Sequence, residues 1–145
     1  MKILVDADAC PVKDIIINIA KKYNLEVIMF FDTSHIYKND YCKVVTVDKG
    51  RDSADFALIG SIKSGDLVIS QDYGVASISL SKKAIVLNQD GFIYTDDNID
   101  LLLFQRHLSK TNRRHGNRPK GPKKRTSAQD DSFRISLIKV IEANL

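Results

Sequence analysis

Apolar residues gather in five short runs along the first ninety positions: Ile3 to Val5, Val27 to Phe31, Val44 to Val47, Leu67 to Ile69 and Ala84 to Leu87. The runs are continuous rather than alternating and rich in Val and Ile, which is the pattern of strands covered on both faces of a parallel sheet. Between them the period changes to that of a helix. Pro11 suits a first helical turn, and Val12, Ile16, Ile19, Ala20 and Tyr23 then share one face. Ala54, Leu58 and Ile62 repeat the pattern within 52–63, and Val75, Ile78 and Ser79 repeat it more weakly within 72–82. The predicted order is β-α-β-β-α-β-α-β, an α/β layered domain. Residues 33–41 fit either a short helix or a loop. A longer helix is expected over 98–113, with Ile99, Leu102, Leu103 and Arg106 on adjacent turns. Thr126 or Ser127 then opens a last helix whose apolar stripe is Phe133, Leu137, Ile138, Ile141 and Leu145. Docked on the body, it would pin the segment before it at both ends.

At 145 residues the chain is of single-domain size. About 70% of the unfolded surface of such a chain is buried on folding, so no disulfide or metal is required to hold a core. The apolar runs reach only five residues, too short to span a bilayer, so no membrane partner is expected. Met1-Lys2 leads straight into Ile-Leu-Val-Asp without a signal-peptide core. Cys10 and Cys42 lack the spacing of a zinc site or a disulfide framework. A reduced, cytoplasmic protein is expected.

Charge is distributed unevenly. Residues 1–110 carry 13 Lys+Arg against 15 Asp+Glu, whereas 111–145 carry 9 against 3. Nine basic residues and no acid lie between Arg106 and Arg125, and His115 to Arg125 holds two of the three prolines. That stretch cannot be regular structure, and 114–126 is expected to be a basic, mobile loop inside a domain spanning 1–145. Its composition points to a polyanionic partner. Arg113, Arg114, Arg118, Lys120, Lys123, Lys124 and Arg125 are the residues expected to grip a nucleic-acid backbone. The only rings in the strip are His107 and His115, so base stacking is not expected from it. A solvated tail that aids solubility is the bland alternative.

In an open parallel sheet every strand ends on one edge, and ligands bind there where strand order reverses. Acids recur at that edge. Asp6 and Asp8 follow the first strand, Asp52 and Asp55 open the second clear helix, and Asp72 follows the fourth strand. If the first and fourth strands are neighbours, Asp6 and Asp72 face each other. Asp52 and Asp55 lie three apart on one face of their helix. Clustered carboxylates raise one another's pKa unless a cation compensates. Oxygen ligands alone suit Mg²⁺ or Mn²⁺, and such a site can hydrolyse a phosphodiester. Taken singly, Asp52 reads better as an N-cap with Asp55 as a first-turn carboxylate, and Asp72 as another cap, than any of them does as a catalytic group; Asp32 and Asp48 receive no role. The case rests on the set.

Val-Asp-Ala-Asp-Ala-Cys-Pro-Val-Lys at 5–13, Gly-Arg-Asp-Ser-Ala-Asp at 50–55, Gly-Asp-Leu-Val-Ile-Ser-Gln-Asp at 65–72 and the Arg/Gly/Pro/Lys tail resemble the YaiI/YqxD family of uncharacterised bacterial proteins. That family is in turn similar to the PIN-like nucleases. The resemblance implies a three-layer PIN-like domain with a central, mostly parallel sheet of about five strands, plus C-terminal helices joined by the basic loop. It implies Mg²⁺ or Mn²⁺ on Asp6, Asp55 and Asp72, with Asp8 and Asp52 as further ligands, and RNA as substrate. Asp6, Asp8, Asp55 and Asp72 are then the catalytic candidates, with Ser70 orienting a water or ligand. The pair Asp52/Asp55 departs from the single mid-chain acid usual in PIN-like domains.

Two other readings compete. Asp6 and Asp8 also resemble the D-x-D signature of haloacid-dehalogenase-like phosphatases, in which Asp6 would be the nucleophile. Pro11 follows too soon for the excursion usual after that motif. A non-catalytic RNA-binding module would use the acids only as caps and a structural cation site. Cys10, just before a helix start, has a position that can lower a thiol pKa, but without a resolving partner it is expected to pack beside the acids.

Overall fold

The computed structural model describes residues 1–33, 36–48, 50, 52–114 and 124–145, the side chains of 112–114 excepted. Among these residues six strands form one sheet: β1 (Lys2–Asp6), β2 (Glu26–Asp32), β3 (Lys43–Val47), β4 (Leu67–Ile69), β5 (Ile85–Leu87) and β6 (Ile93–Tyr94). Their order across the sheet is β3-β2-β1-β4-β5-β6, all parallel except the β5–β6 pair. The expected strands are therefore present, and a two-residue antiparallel edge strand is added to them. The chain runs outward from β1 to β3, then crosses back to lay β4 on the other side of β1. The order reverses between β1 and β4.

Among the described residues five helices cover the sheet: α1 (Lys13–Tyr23), α2 (Ser53–Ser61), α3 (Tyr73–Ser81), α4 (Asp96–Arg114) and α5 (Ser127–Asn144). Side chains alternate across a strand, and the two cores follow that alternation. Ile3, Val5, Met29, Phe31 and Ile69 pack under α1 and α5 with Ile16, Ala20, Phe133 and Leu137. Leu4, Phe30, Val68 and Val86 point to the opposite face, under Leu58 of α2, Val75 of α3 and Ile99 of α4. Both faces are buried, which is why these strands read as unbroken apolar runs.

The helix boundaries have local causes. Thr126 caps α5 with a capping box, its hydroxyl accepting from the Gln129 amide while the Gln129 side chain accepts from the Thr126 amide. Along α5 the buried stripe is Phe133, Leu137, Val140 and Ile141; Leu145, expected in it, is exposed. Ile78, expected to face the core from α3, is also exposed. The described part of 33–41 contains no helix. It ends at Tyr41, whose hydroxyl donates to the Leu25 carbonyl at 2.6 Å. Helix α5 docks on the β5–β6 turn, where Ser132 and Ser136 donate to the carbonyls of Asp90 and Gly91. Gly91 has φ +85°, and a Cβ there would lie 2.7 Å from the Ser136 Cβ and 2.8 Å from the Ser132 carbonyl oxygen. Residues 115–123, the heart of the expected basic loop, lie outside the described residues.

Candidate functional site

The carboxyl edge of β1 and β4 is the reversal point of the sheet, where open α/β sheets place their ligands. The register aligns Val5 with Ile69, so the next residue on each strand, Asp6 and Ser70, comes to the same edge. Ser70, buried, donates from Oγ to Asp6 Oδ2 at 2.8 Å. The same Ser70 Oγ accepts the Asp72 amide at 3.0 Å. Asp72 then caps α3, its Oδ1 accepting from the amides of Gly74 at 2.8 Å and Val75 at 3.1 Å. Among the described residues the cap occupies Oδ1 alone. One hydroxyl thus links the Asp6 carboxylate at the end of β1 to the backbone of Asp72 at the start of α3.

Asp55 enters from α2 on the opposite side of the crevice. Burial pushes its carboxyl from the ordinary 3.8 to about 6, and the charges of Asp6, Asp72, Asp52 and Asp8 add to the effect. Burial likewise raises Asp6; the Ser70 hydrogen bond opposes this, while Asp72 and Asp8 reinforce it. The expected acids therefore share one electrostatic field, although they come from three separate stretches of chain. Asp8 lies on the turn after β1, where both its carboxylate oxygens accept from the Asp32 amide at 3.3 Å. Asp8, Asp32, Asp52 and Asp55 line a cleft of about 170 Å³. Asp32 is the acid that strand-by-strand reading set aside; its position at the end of β2 was the available signal.

Asp52 is not the cap it was expected to be. It occupies the N-cap position of α2 with φ 64°, and its side chain makes no capping bond. A non-glycine residue in that region costs energy and turns the chain sharply. Asp52 is exposed beside half-buried Asp55.

The loop between β1 and α1 is held by its own carbonyls. Lys13 Nζ donates to the Cys10 carbonyl at 2.7 Å, and Gln71 Nε2 donates to the Ala9 carbonyl at 2.7 Å. Cys10 is buried, and burial pushes its thiol up rather than down. It packs beside the acids as a small apolar side chain.

Among the described residues, no three His, Cys, Asp or Glu side chains form a ready-made clasp for one metal ion. The donor chemistry nevertheless fits a hard dication. All five candidates offer oxygen, and Mg²⁺ ordinarily binds through one or two carboxylates, completing its shell with water and phosphate. Asp6 and Asp72, tied through Ser70, are the carboxylates that would supply such a pair.

Of the basic residues expected to grip nucleic acid, Arg118, Lys120 and Lys123 lie outside the described residues, and Arg113 and Arg114 end α4. Lys124 is exposed. Arg125 has another task. Its guanidinium binds Asp130 at 2.7 Å, Asp90 at 2.8 Å and the Gln89 carbonyl at 2.6 Å. It staples the start of α5 to the β5–β6 turn.

Residues 4–143 match the family described as uncharacterised, YaiI/YqxD. The chain belongs to the YaiI/YqxD family. A UPF0178 protein of Ruminiclostridium cellulolyticum is 54% identical over 142 residues, covering 98% of this chain and 93% of that one. Another from Lachnoclostridium phytofermentans is 50% identical over 146 residues, covering 99% and 98%. A third, from Alkaliphilus oremlandii, is 48% identical over 145 residues, covering 100% and 94%. No solved structure matches the chain. The family name carries no activity. Among the described residues, no helix is long and apolar enough to cross a membrane.

Proposed function

We propose that this member of the YaiI/YqxD family is a Mg²⁺- or Mn²⁺-dependent phosphodiesterase acting on nucleic acid, with RNA as the favoured substrate. The observation that carries the reading is the Asp6–Ser70–Asp72 linkage at the reversal point of the sheet, faced by Asp55. Asp6 and Asp72 would hold the ion, with Asp8, Asp52 and Asp55 reaching it directly or through water. When bound, the ion would supply charge neutralisation on the phosphate and a more acidic water. Ser70 keeps Asp6 oriented by donating to its Oδ2. Asp55, held at about 6, is the carboxyl suited to taking up or giving back a proton near neutral pH. The likeness of the motifs to PIN-like nucleases belongs with this reading.

The test compares wild type with Asp6→Asn for Mn²⁺ binding by calorimetry and for cleavage of labelled single-stranded RNA. Loss of both in the variant supports the assignment; unchanged Mn²⁺ affinity removes it. Trapping of a phosphate-mimicking fluoride on Asp6, together with hydrolysis of small monoesters, would favour a phosphatase instead. The short connection from Asp6 to α1 leaves little room for that mechanism. RNA binding without cleavage in Mn²⁺ would favour the non-catalytic module.

A further inference from the structure

The acid centre opens on one side into a groove of about 270 Å³, whose walls include Asp55 and Asp72, Phe56 of α2, Ile78 of α3 and Arg106 of α4. Three helices meet there, and each contributes a side chain that its own packing does not require. Phe56 is 69% exposed, on the face of α2 opposite the core residue Leu58. Ile78 is 46% exposed. An isolated exposed apolar residue needs no explanation. Here, however, an aromatic ring adjoins two of the clustered acids and shares its groove with a guanidinium. Arg106 is the only cation lining this groove among the described residues, and Lys110 follows one turn later on α4, also exposed. Positive charge therefore continues from the groove along the helix that leads into the basic strip.

These features divide the work of binding a strand. The strip from Arg106 to Arg125 supplies charge but no aromatic face other than its two histidines. Proteins that hold single strands combine a positive track with aromatic rings on which bases stack. The groove supplies that ring beside the acids. Its volume suits one flat ring system rather than a larger ligand.

We propose that this groove seats one unpaired base of a single-stranded nucleic acid, stacked on Phe56 and flanked by Ile78. Arg106 binds the adjoining backbone phosphate, so that the next phosphate meets Asp55 and Asp72. The inference rests on the phosphodiesterase reading in taking the acids as the place of reaction. It goes beyond that reading by selecting unpaired over duplex substrate and by assigning Phe56 and Arg106 as the residues that make the selection.

The test uses the full chain, a labelled twelve-nucleotide RNA and its blunt duplex, with anisotropy in Ca²⁺ and cleavage in Mn²⁺. Phe56→Ala is expected to weaken single-strand binding about ten-fold or more. Phe56→Trp restores it, and duplex binding does not respond to either change. Arg106→Ala weakens binding and makes the log–log salt slope shallower by about 0.7. Melting temperatures should stay at the wild-type value, since both side chains are exposed. Equal single-strand affinity in Phe56→Ala overturns the proposal, as does a wild type that binds duplex equally well or no RNA at all. A sedimenting dimer that Phe56→Ala converts to monomer, with RNA affinity unchanged, assigns the patch to self-association and also overturns it. The two readings fail separately. Binding that depends on Phe56, with no Mn²⁺-dependent cleavage, sinks the phosphodiesterase and leaves the base site standing. Cleavage whose KM ignores Phe56 sinks only the base site.

Discussion

Replacing Asp55 by Asn should make the metal-free protein more stable. Asp55 is pushed to about 6 first by burial and then by Asp6, Asp72, Asp52 and Asp8. The folded chain keeps this proton up to about pH 6, whereas the unfolded chain releases it near 3.8. The folded state thus binds more protons across that window, and stability falls as pH rises through it. Taken at face value, the difference of 2.2 between 3.8 and about 6 corresponds to about 3 kcal/mol at neutral pH. Asp55 is only half-buried, and solvent screening reduces the penalty to about 1 kcal/mol. For a chain of this size that is about 2–4 °C in melting temperature.

The assay is thermal unfolding in EDTA. At pH 7.5 Asp55→Asn should melt about 2–4 °C above wild type, and the gap should close as pH falls toward 4. Saturating Mn²⁺ should invert the order, because a hundred-fold excess over the dissociation constant stabilises the binding-competent chain by about 2.7 kcal/mol. Asp66 does not interfere. Burial raises its carboxyl, but hydrogen bonds from Lys2 and Lys63 outweigh this and hold it below its ordinary value, so its contribution is lost only at more acid pH. A variant that melts at or below wild type in EDTA would refute the reasoning, because the carboxylate would then be carrying no electrostatic load.

Three further outcomes follow from the same geometry. Gly91→Ala places a methyl group against Ser136 and Ser132 at a left-handed φ and should cost about 1–3 kcal/mol in urea unfolding. Arg125→Ala should lower stability by about 1 kcal/mol, since its partners Asp90 and Asp130 are partly exposed. The same change should leave the salt slope of RNA binding intact, near −4 if six other cations meet phosphates of one strand. Cys10→Ser should preserve any metal-dependent activity, and Cys10 in the native protein should resist a disulfide reagent at pH 7.5 until the chain is unfolded.

Much of the fold was legible because β1, β2 and β4 are buried on both faces, so their sequences are unbroken Val/Ile/Leu runs. Strand β6 was not legible: two residues, Ile93 and Tyr94, give no period, and only the Gly91 turn and its antiparallel pairing define it. The acids were legible because the topology sends every parallel strand to one edge. Their internal arrangement was not. That Asp72 caps while Asp52 sits uncapped at φ 64° depends on how α2 meets the loop before it, and spacing does not encode that. The ion pairs of Arg125 were not legible because a run of like charges looks uniform from within. Its partners are fixed by where α5 docks, one of them 35 residues away. Phe56 left only a negative trace, as a large apolar residue off the Ala54–Leu58–Ile62 stripe.

The raised carboxyls of Asp6 and Asp55 have one cause. Burial makes their charges costly, and carboxylates placed on separate elements at a shared edge add mutual repulsion. Asp6 is held at the end of β1 by Ser70, and Asp72 is held at the start of α3 by Ser70 and the α3 amides. Asp55, at the start of a helix entered through a left-handed residue, is tied by none of these bonds. The load therefore falls on Asp55, which carries the largest rise among the acids of the site. On the proposed function this asymmetry is useful: Asp6 at the end of β1 and Asp72 at the N-cap of α3 would set the position of the ion, and Asp55, free to gain or lose a proton near neutrality, would adjust to the phosphate. A site of caps alone would have no reason to concentrate the penalty on Asp55, which lines the groove beside Asp72.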